Sequence, residues 1–296
     1  MIKKIISCFL CCIIIFVVYG CNNKNKYKSW HLNSMKIDEL WKYSMGDSQT
    51  IAFIDTGISD ELANMLSENI VYRFNVFDKT DDITDMHGHG TEMVSVACSN
   101  GYDNVWGIAP NSKIIIIKAV SDEGKTNNEN LYTALKVAQN NGATIVNISL
   151  GGYKTDEKVV DQINTMIKNG ITIVAAAGDY KNKDLLFPAN QDGVISVEAL
   201  DRNNLLWSDS NTSYNSIVRM PGVKIDVLTV QNNMLNKSIA DGTSQASSIT
   251  SAYIALIKDY YISKNMEIDN DMLMNILYSL KTKSKSKVNY LLPFEK

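Results

Sequence analysis

The chain has 296 residues, of which 45% are hydrophobic and 21% charged, as expected of a globular protein with a large core. Its net charge of −3 argues against the concentrated positive face of nucleic-acid binders, so we expect no nucleic-acid partner. Apart from Cys98, the cysteines lie within the first 21 residues, which excludes a disulfide framework in the body and predicts a buried, unreactive Cys98.

The first twenty-one residues have the pattern of a bacterial export signal. Two lysines precede an apolar run over 5–18, which is shorter than the ~20 residues needed to cross a bilayer. The run ends at Val-Tyr-Gly-Cys over 18–21, the pattern of a lipoprotein signal. We therefore predict a signal peptide over 1–20 and a lipid on Cys21, which would hold the exported protein at the outer face of the cell membrane. An uncleaved membrane helix is the alternative.

Beyond this signal we predict a tether and N-terminal segment over 21–40, followed by one domain over 41–296. From residue 50 onward, short β-branched runs alternate with longer amphipathic stretches, which predicts an α/β fold around a mostly parallel sheet. The predicted strands cover 51–54, 113–120, 144–148, 172–176 and 194–197. The predicted helices cover 128–139, 244–261 and 269–280. After residue 281 we predict a basic linker and then an apolar docking segment over 290–294.

Three short segments carry residues suited to nucleophilic catalysis. Asp55 stands at the end of a predicted strand, His89 lies in Gly-His-Gly-Thr, and Ser244 starts a predicted helix within Gly-Thr-Ser-Gln-Ala-Ser. Hydrolysis by a serine needs a base for the hydroxyl proton, a carboxylate that orients this base, and donors for the oxyanion. Each segment alone also fits a structural role, because Asp favours turns and Ser favours helix N-caps.

Together the three segments resemble the subtilisin family of serine peptidases, in which Asp, His and Ser follow one another in this order. The resemblance extends from about residue 41 to residue 257 and includes segments that carry none of the three residues. These segments are Gly107-Ile108-Ala109-Pro110, Asn147 to Gly152, Ala175 to Gly178, and Pro221-Gly222. The resemblance implies a three-layer fold, with helices on both faces of the sheet, and a monomer that acts on peptides or proteins.

The resemblance also implies a role for each residue that matches the family's motifs. Asp55 would orient His89, His89 would act as base and then as acid, and Ser244 would attack the substrate carbonyl. Two further sets would bind the substrate: Ser149, Leu150 and Gly151 by pairing with an extended peptide, and Ala176, Ala177 and Gly178 as the opposite pocket wall. This pocket would hold the residue before the scissile bond. Tight packing of small residues is the alternative explanation of both segments.

The main departure from the family is Asp179, at the oxyanion position where the family usually has Asn. An ionised carboxylate has no proton to donate, and loss of such a donor costs roughly 10²–10³ in rate. Three outcomes remain open at this stage. Asp179 is protonated through a raised pKa and donates, another group replaces it, or catalysis is slow.

Other departures concern the flanks of the motifs and the calcium site of the family. Ser248 replaces a proline and Glu92 replaces a histidine, and both lie outside the triad. Asn64 stands where a calcium-binding carboxylate is expected, and the loop over 100–105 is short. Because a hard cation prefers several oxygen ligands with charge among them, we predict no obligatory cofactor or metal and regard a structural calcium as doubtful.

Four further residues bear on the site without matching its motifs. His87 is interpreted as a surface or substrate-side residue next to His89, and His31 as a residue that precedes the fold. Leu186 and Asp184 lie near the expected floor of the pocket. A leucine floor would exclude large side chains, whereas an inward-pointing Asp184 would favour a basic one.

The length of the N-terminal region suggests a type of protease. The stretch between Cys21 and Asp55 is too short for an independently folded pro-domain, which needs at least ~50 residues. This favours a peptidase of narrow specificity, similar to the leader peptidases that mature lantibiotic precursors. General or otherwise selective proteolysis at the cell surface, and a weakly active or non-catalytic peptide-binding homologue, are the alternatives.

Overall fold

A parallel sheet at the centre of the molecule carries the segments that bear the predicted site. The computed structural model describes residues 29–182, 184–214, 218–282, 290 and 292–294. The sheet strands are β1 (Thr50–Asp55), β2 (Ile70–Asn75), β3 (Lys113–Lys118), β4 (Ile145–Ile148), β5 (Thr172–Ala176), β6 (Ile195–Leu200) and β7 (Val218–Pro221). Their order is β2-β3-β1-β4-β5-β6-β7, and every neighbouring pair runs parallel. This confirms the predicted α/β class.

Helices cover both faces of this sheet. They are α1 (Trp30–Met35), α2 (Ile37–Leu40), α3 (Asp60–Met65), α4 (His89–Cys98), α5 (Asn128–Asn140), α6 (Glu157–Lys168), α7 (Thr243–Ser263) and α8 (Asn270–Thr282). Alternate residues of β1 enter different cores: Ile51 and Phe53 pack with α4 and α7, whereas Ala52 and Ile54 pack with α5 and α6. The result is the three-layer arrangement that the resemblance implies.

The predicted strands and helices match the observed ones apart from their ends. The strand predicted over 113–120 ends at Lys118, because the amides of Ala119 and Val120 both donate to the carbonyl of Asp55, where β1 ends. The strand predicted over 194–197 starts at Ile195 and continues to Leu200, because β7 lies alongside and supplies backbone partners. In both cases the neighbouring strand sets the length.

An antiparallel hairpin, β8 (Ile225–Gln231) and β9 (Met234–Ala240), was not predicted from the sequence. Its turn is formed by Asn232 and Asn233, which have φ values of 52° and 60°. Asparagine tolerates this left-handed region, and paired left-handed residues are typical of two-residue hairpin turns. The Asn-Asn pair is therefore the sequence feature from which this hairpin turn could have been predicted.

Half of the stretch assigned to the tether and N-terminal segment packs into the core. In α1 and α2 the buried side chains include Leu32, Met35 and Leu40, none of which is accessible to solvent. His31 is also buried at 1% exposure, so the expectation that it precedes the fold is wrong. Residues 1–28, with the apolar run and Cys21, lie outside the described residues.

The described residues near the C-terminus dock as predicted. Tyr290 and Phe294 are buried, and their carbonyl oxygens accept hydrogen bonds from the hydroxyls of Tyr253 and Tyr260. The linker predicted after residue 281 falls mostly on 283–289, outside the described residues. In the part of the chain that the structure describes, no helix is both long and apolar enough to span a membrane.

Candidate active site

Asp55 and His89 meet at the carboxyl edge of the sheet. Asp55 ends β1, His89 begins α4, and the Nδ1 atom of His89 lies 2.7 Å from Oδ1 of Asp55. Gly90 permits this approach, because a Cβ atom there would lie 2.2 Å from the carbonyl oxygen of Gly57. The structure therefore brings these two predicted residues into one hydrogen-bonded pair.

The environment of this pair favours a protonated imidazole. Burial disfavours the charged form, but the charge and hydrogen bond of Asp55, aided by the charges of Glu92 and Asp85, outweigh it and raise the pKa of His89 to about 9. The His89 side chain is 27% exposed, whereas that of Asp55 is 4% exposed. A carboxylate shielded from solvent in this way stabilises the imidazolium that forms when His89 accepts a proton.

Ser244 lies in the first turn of α7, where backbone amides have no partner within the helix. Its hydroxyl donates to the carbonyl oxygen of Ser149 at 3.2 Å, rather than to His89. The hydroxyl of Ser149 in turn lies 3.2 Å from the carbonyl oxygen of Ser244 and 2.9 Å from the hydroxyl of Ser247. The serine predicted to be the nucleophile is therefore tied to the segment predicted to bind the substrate.

Asp179 accepts hydrogen bonds from the residue that precedes Ser244. Its Oδ1 atom lies 2.9 Å from the amide nitrogen of Thr243 and 2.7 Å from the Thr243 hydroxyl oxygen. That hydroxyl also accepts from the amide of Gly178 at 3.0 Å. Asp179 thus stands beside the nucleophile as predicted, but its bonded oxygen acts as an acceptor, and the Thr243 proton is directed to the carboxyl group.

The two predicted pocket walls follow adjacent strands of the sheet. Ser149, Leu150 and Gly151 come directly after β4, and Ala176, Ala177 and Gly178 lie at the end of β5 and just beyond it. Since β4 and β5 pair in parallel, both segments leave the same edge of the sheet. Ser149 and Ala177 are buried, Leu150 is half-buried, and Gly151 is exposed.

Comparison with known proteins identifies the family of this chain. The model of the subtilase family matches residues 46–287. This chain belongs to the subtilase family. It is 30% identical to the minor extracellular protease Epr of Bacillus subtilis (strain 168) over 267 residues, which cover 87% of this chain and 40% of that protein. It is 31% identical to a thermophilic serine proteinase of Bacillus sp. (strain AK1), over 74% of this chain and 55% of that protein.

A shorter relative is covered more completely by this subtilase. Subtilisin DY of Bacillus licheniformis is 29% identical over 221 residues, which cover 73% of this chain and 78% of that protein. The chain therefore spans about half the length of the first two relatives and most of the third.

Two residues of this subtilase that match no family motif, His87 and Asp184, lie outside the Asp55–His89 pair. His87 is exposed, and its ring lies edge-on to that of His89 with centroids 6.3 Å apart. Asp184 is exposed as well. The backbone carbonyl of Asp184 accepts a hydrogen bond from the side chain of Asn211.

One contact near His89 was missed by sequence reasoning. Glu92 lies one turn after His89 on α4, and its Oε2 atom accepts from the Gln245 side chain at 3.1 Å. Gln245 follows Ser244, so Glu92 connects the helix of the base to the helix of the nucleophile. Its position three residues after the histidine was the available signal, because residues at this spacing share a helix face.

The described residues hold no cluster of carboxylate, imidazole or thiol ligands. They contain no group of three or more His, Cys, Asp or Glu side chains that could hold a metal ion. Asn64 is exposed, and the carboxylate of Glu61 accepts instead from the Tyr102 hydroxyl at 3.2 Å. The absence of an obligatory metal stays a prediction.

Proposed function

We propose that this chain is a serine endopeptidase, anchored outside the cell by a lipid on Cys21, that processes a peptide or leader sequence such as that of a lantibiotic precursor. The observation that carries the peptidase assignment is the meeting of three segments at one sheet edge. The imidazole of His89 is bonded to Asp55 at 2.7 Å, and Ser244 lies against the segment that starts at Ser149.

The proposed reaction uses each of these groups in turn. The Ser244 oxygen attacks the substrate carbonyl while Nε2 of His89 takes the hydroxyl proton, and His89 then gives this proton to the leaving amine. Asp55 holds the imidazole through Nδ1 and stabilises its charge. Water then attacks the acyl-enzyme, again with His89 as base, and releases the second product.

Substrate binding would prepare the nucleophile for this step. In the structure the Ser244 hydroxyl donates to the carbonyl oxygen of Ser149. An extended peptide paired with this segment would offer its own amide to the same oxygen. The hydroxyl would then be displaced toward His89, so that activation of Ser244 depends on a bound peptide.

The proposed anchor rests on the lipoprotein pattern at 18–21, and similarity to an extracellular protease of Bacillus subtilis supports export. We expect the full chain to be recovered in the membrane fraction and to incorporate radiolabelled palmitate. Cys21→Ser should abolish incorporation. Unchanged labelling of this variant would contradict the lipidation site.

Fluorophosphonate labelling tests the proposed nucleophile without knowledge of the substrate. The full chain in detergent should be labelled, whereas Ser244→Ala and His89→Ala should not be. A folded parent that resists labelling would contradict the peptidase assignment. A peptide-binding homologue, the second candidate, is favoured only by the acceptor role of Asp179, and it would return bound peptide intact.

Leader processing is tested with precursor peptides encoded beside this chain. Mass spectrometry of the incubated precursor should show a single cut between leader and core. Cleavage at many sites in unfolded casein would instead identify a general degradative enzyme. Size-exclusion chromatography with light scattering checks the proposed monomer.

A further inference from the structure

The segment that carries Leu186 runs between the two walls of the proposed pocket and is bonded to both. The amide of Leu186 donates to the carbonyl of Ala177 at 3.1 Å. Phe187 exchanges two backbone bonds with Gly152, of 2.8 and 2.9 Å. The backbone at 186–187 therefore forms a floor that is fixed on each side.

The Leu186 side chain fills the space between these walls. A Cβ atom built on Gly151 would lie 2.8 Å from Cβ of Leu186, and one built on Gly178 would lie 2.8 Å from its Cγ and Cδ1 atoms. Leu186 therefore packs against both glycines and is only 5% exposed. The room that a long substrate side chain would need is thus occupied by the protein itself.

The residues around Leu186 differ in charge and exposure. Asp184 is exposed whereas Leu186 is buried, so the buried side chain between the two walls is aliphatic. At the rim, Tyr153 follows one wall and Tyr180 the other, and their ring centroids are 6.4 Å apart. Both rings are largely exposed, at 73% and 66%.

We infer that Leu186 determines specificity, by restricting the residue before the scissile bond to small uncharged side chains such as those of Gly, Ala and Ser. The inference rests on the proposed peptidase function. An aliphatic floor cannot neutralise a lysine or arginine side chain, and a filled pocket leaves a phenylalanine ring without a place to bind. Replacement of Leu186 by a smaller residue should therefore admit larger substrates.

Peptidyl diphenyl phosphonates that differ only in the residue at this position test the inference directly, because they react with the serine. The full chain in detergent should react at least about tenfold faster with the Ala reagent than with the Phe or Lys reagents, since one methylene in an apolar pocket already changes rates by that order. Leu186→Ala should raise the rate with the Phe reagent about tenfold or more. Leu186→Val should give a smaller change in the same direction.

Matched controls separate this inference from the proposed function. Leu135→Ala removes an equally buried leucine from α5, and it should leave the ratio of the reagents unchanged. Fluorophosphonate labelling of each variant reports whether the serine is reactive and the protein folded. A labelled parent that prefers the Phe or Lys reagent, reacts with none of the three, or keeps its ratio after Leu186→Ala overturns the inference. A folded parent without labelling overturns the proposed function and this inference with it.

Discussion

The hydroxyl of Thr243 donates a 2.7 Å hydrogen bond to Oδ1 of Asp179, so the residue at the oxyanion position accepts a hydrogen bond where the family usually donates one. The amide of Thr243 donates to the same oxygen. Of the three outcomes left open by the sequence, this arrangement favours replacement by another donor or slow catalysis. The Ser244 amide, in the first turn of α7, is one backbone donor that could serve.

Asp179→Asn should therefore raise kcat by about tenfold to a hundredfold. The amide keeps an oxygen that accepts from Thr243, adds an N–H donor for the oxyanion, and removes a negative charge beside it. Steady-state kinetics on one peptide substrate measure the effect. Asp192→Asn, which removes an exposed carboxylate elsewhere, is the matched control and should leave kcat unchanged.

The pH profile of the same pair of enzymes tests the remaining outcome. If a protonated Asp179 donated a hydrogen bond to the oxyanion, turnover of the parent would fall with rising pH, and Asp179→Asn would lack this fall. We expect profiles of the same shape for both proteins. A fall seen only in the parent would show that the protonated carboxyl is the donor.

Activity should rise with pH up to about 9, because only the neutral imidazole of His89 can act as base and its pKa is raised to about 9. Glu92→Gln should move this rise to lower pH. The charge of Glu92 is one of the causes of the raised pKa, and glutamine keeps an oxygen for the bond from Gln245. The measurement is kcat/KM between pH 5 and 10.

Glu157→Gln, at the exposed start of α6, serves as the control for this shift. It removes the same charge far from His89 and should leave the profile in place. Equal profiles for the parent and Glu92→Gln would mean that Asp55 and Asp85 alone set the pKa of His89.

Acid should destabilise the protein through His31. Burial lowers the pKa of this imidazole to about 4, with a smaller opposing effect of Asp226, and neither ring nitrogen has a partner among the described residues. Between pH 6.5 and 4 the unfolded chain binds a proton that the folded protein excludes, so stability falls as pH falls, by up to about 3 kcal/mol. Urea unfolding at several pH values measures this slope.

His31→Phe should flatten the slope in that window, because phenylalanine is close in size and does not titrate. His87→Phe changes an exposed imidazole and should leave the slope as it is. A slope that survives His31→Phe would assign the acid sensitivity to other groups.

Arg219→Met should destabilise the protein by about 3–5 kcal/mol. Arg219 bonds through Nε to Oε2 of Glu198 at 2.6 Å, and the Glu198 side chain is fully buried. Removal of the cation takes the charge of Arg219 away from a carboxylate that also accepts from the Thr212 hydroxyl and the Ser213 amide. Adding Glu198→Leu should restore most of the loss, as measured by urea unfolding.

The exposed pair Lys224–Asp241 provides the control for this buried pair. Lys224→Met should cost less than about 1 kcal/mol, because solvent screens the interaction. Equal losses for the two single variants would show that burial of Glu198 does not set the cost.

The sequence by itself determined the fold class, most strands of the sheet and the residues that meet at its edge. Continuous apolar runs such as Ile51–Ile54 require cover on both faces, and this information is local. The short motifs around Asp55, His89 and Ser244 are local as well, so their order along the chain was sufficient to expect one site. Strands β2 and β7 and the β8–β9 hairpin were not predicted, and strand ends were missed because neighbouring strands decide them.

Only the tertiary structure decided how this site is modified. The acceptor role of Asp179 depends on Thr243, and the proposed restriction of the pocket depends on the packing of Leu186 against Gly151 and Gly178. His31 became a buried group only because α1 packs against the rest of the fold. Each of these properties arises between residues far apart in the chain, where distance and burial set hydrogen bonds, free volume and pKa, and no local pattern encodes them.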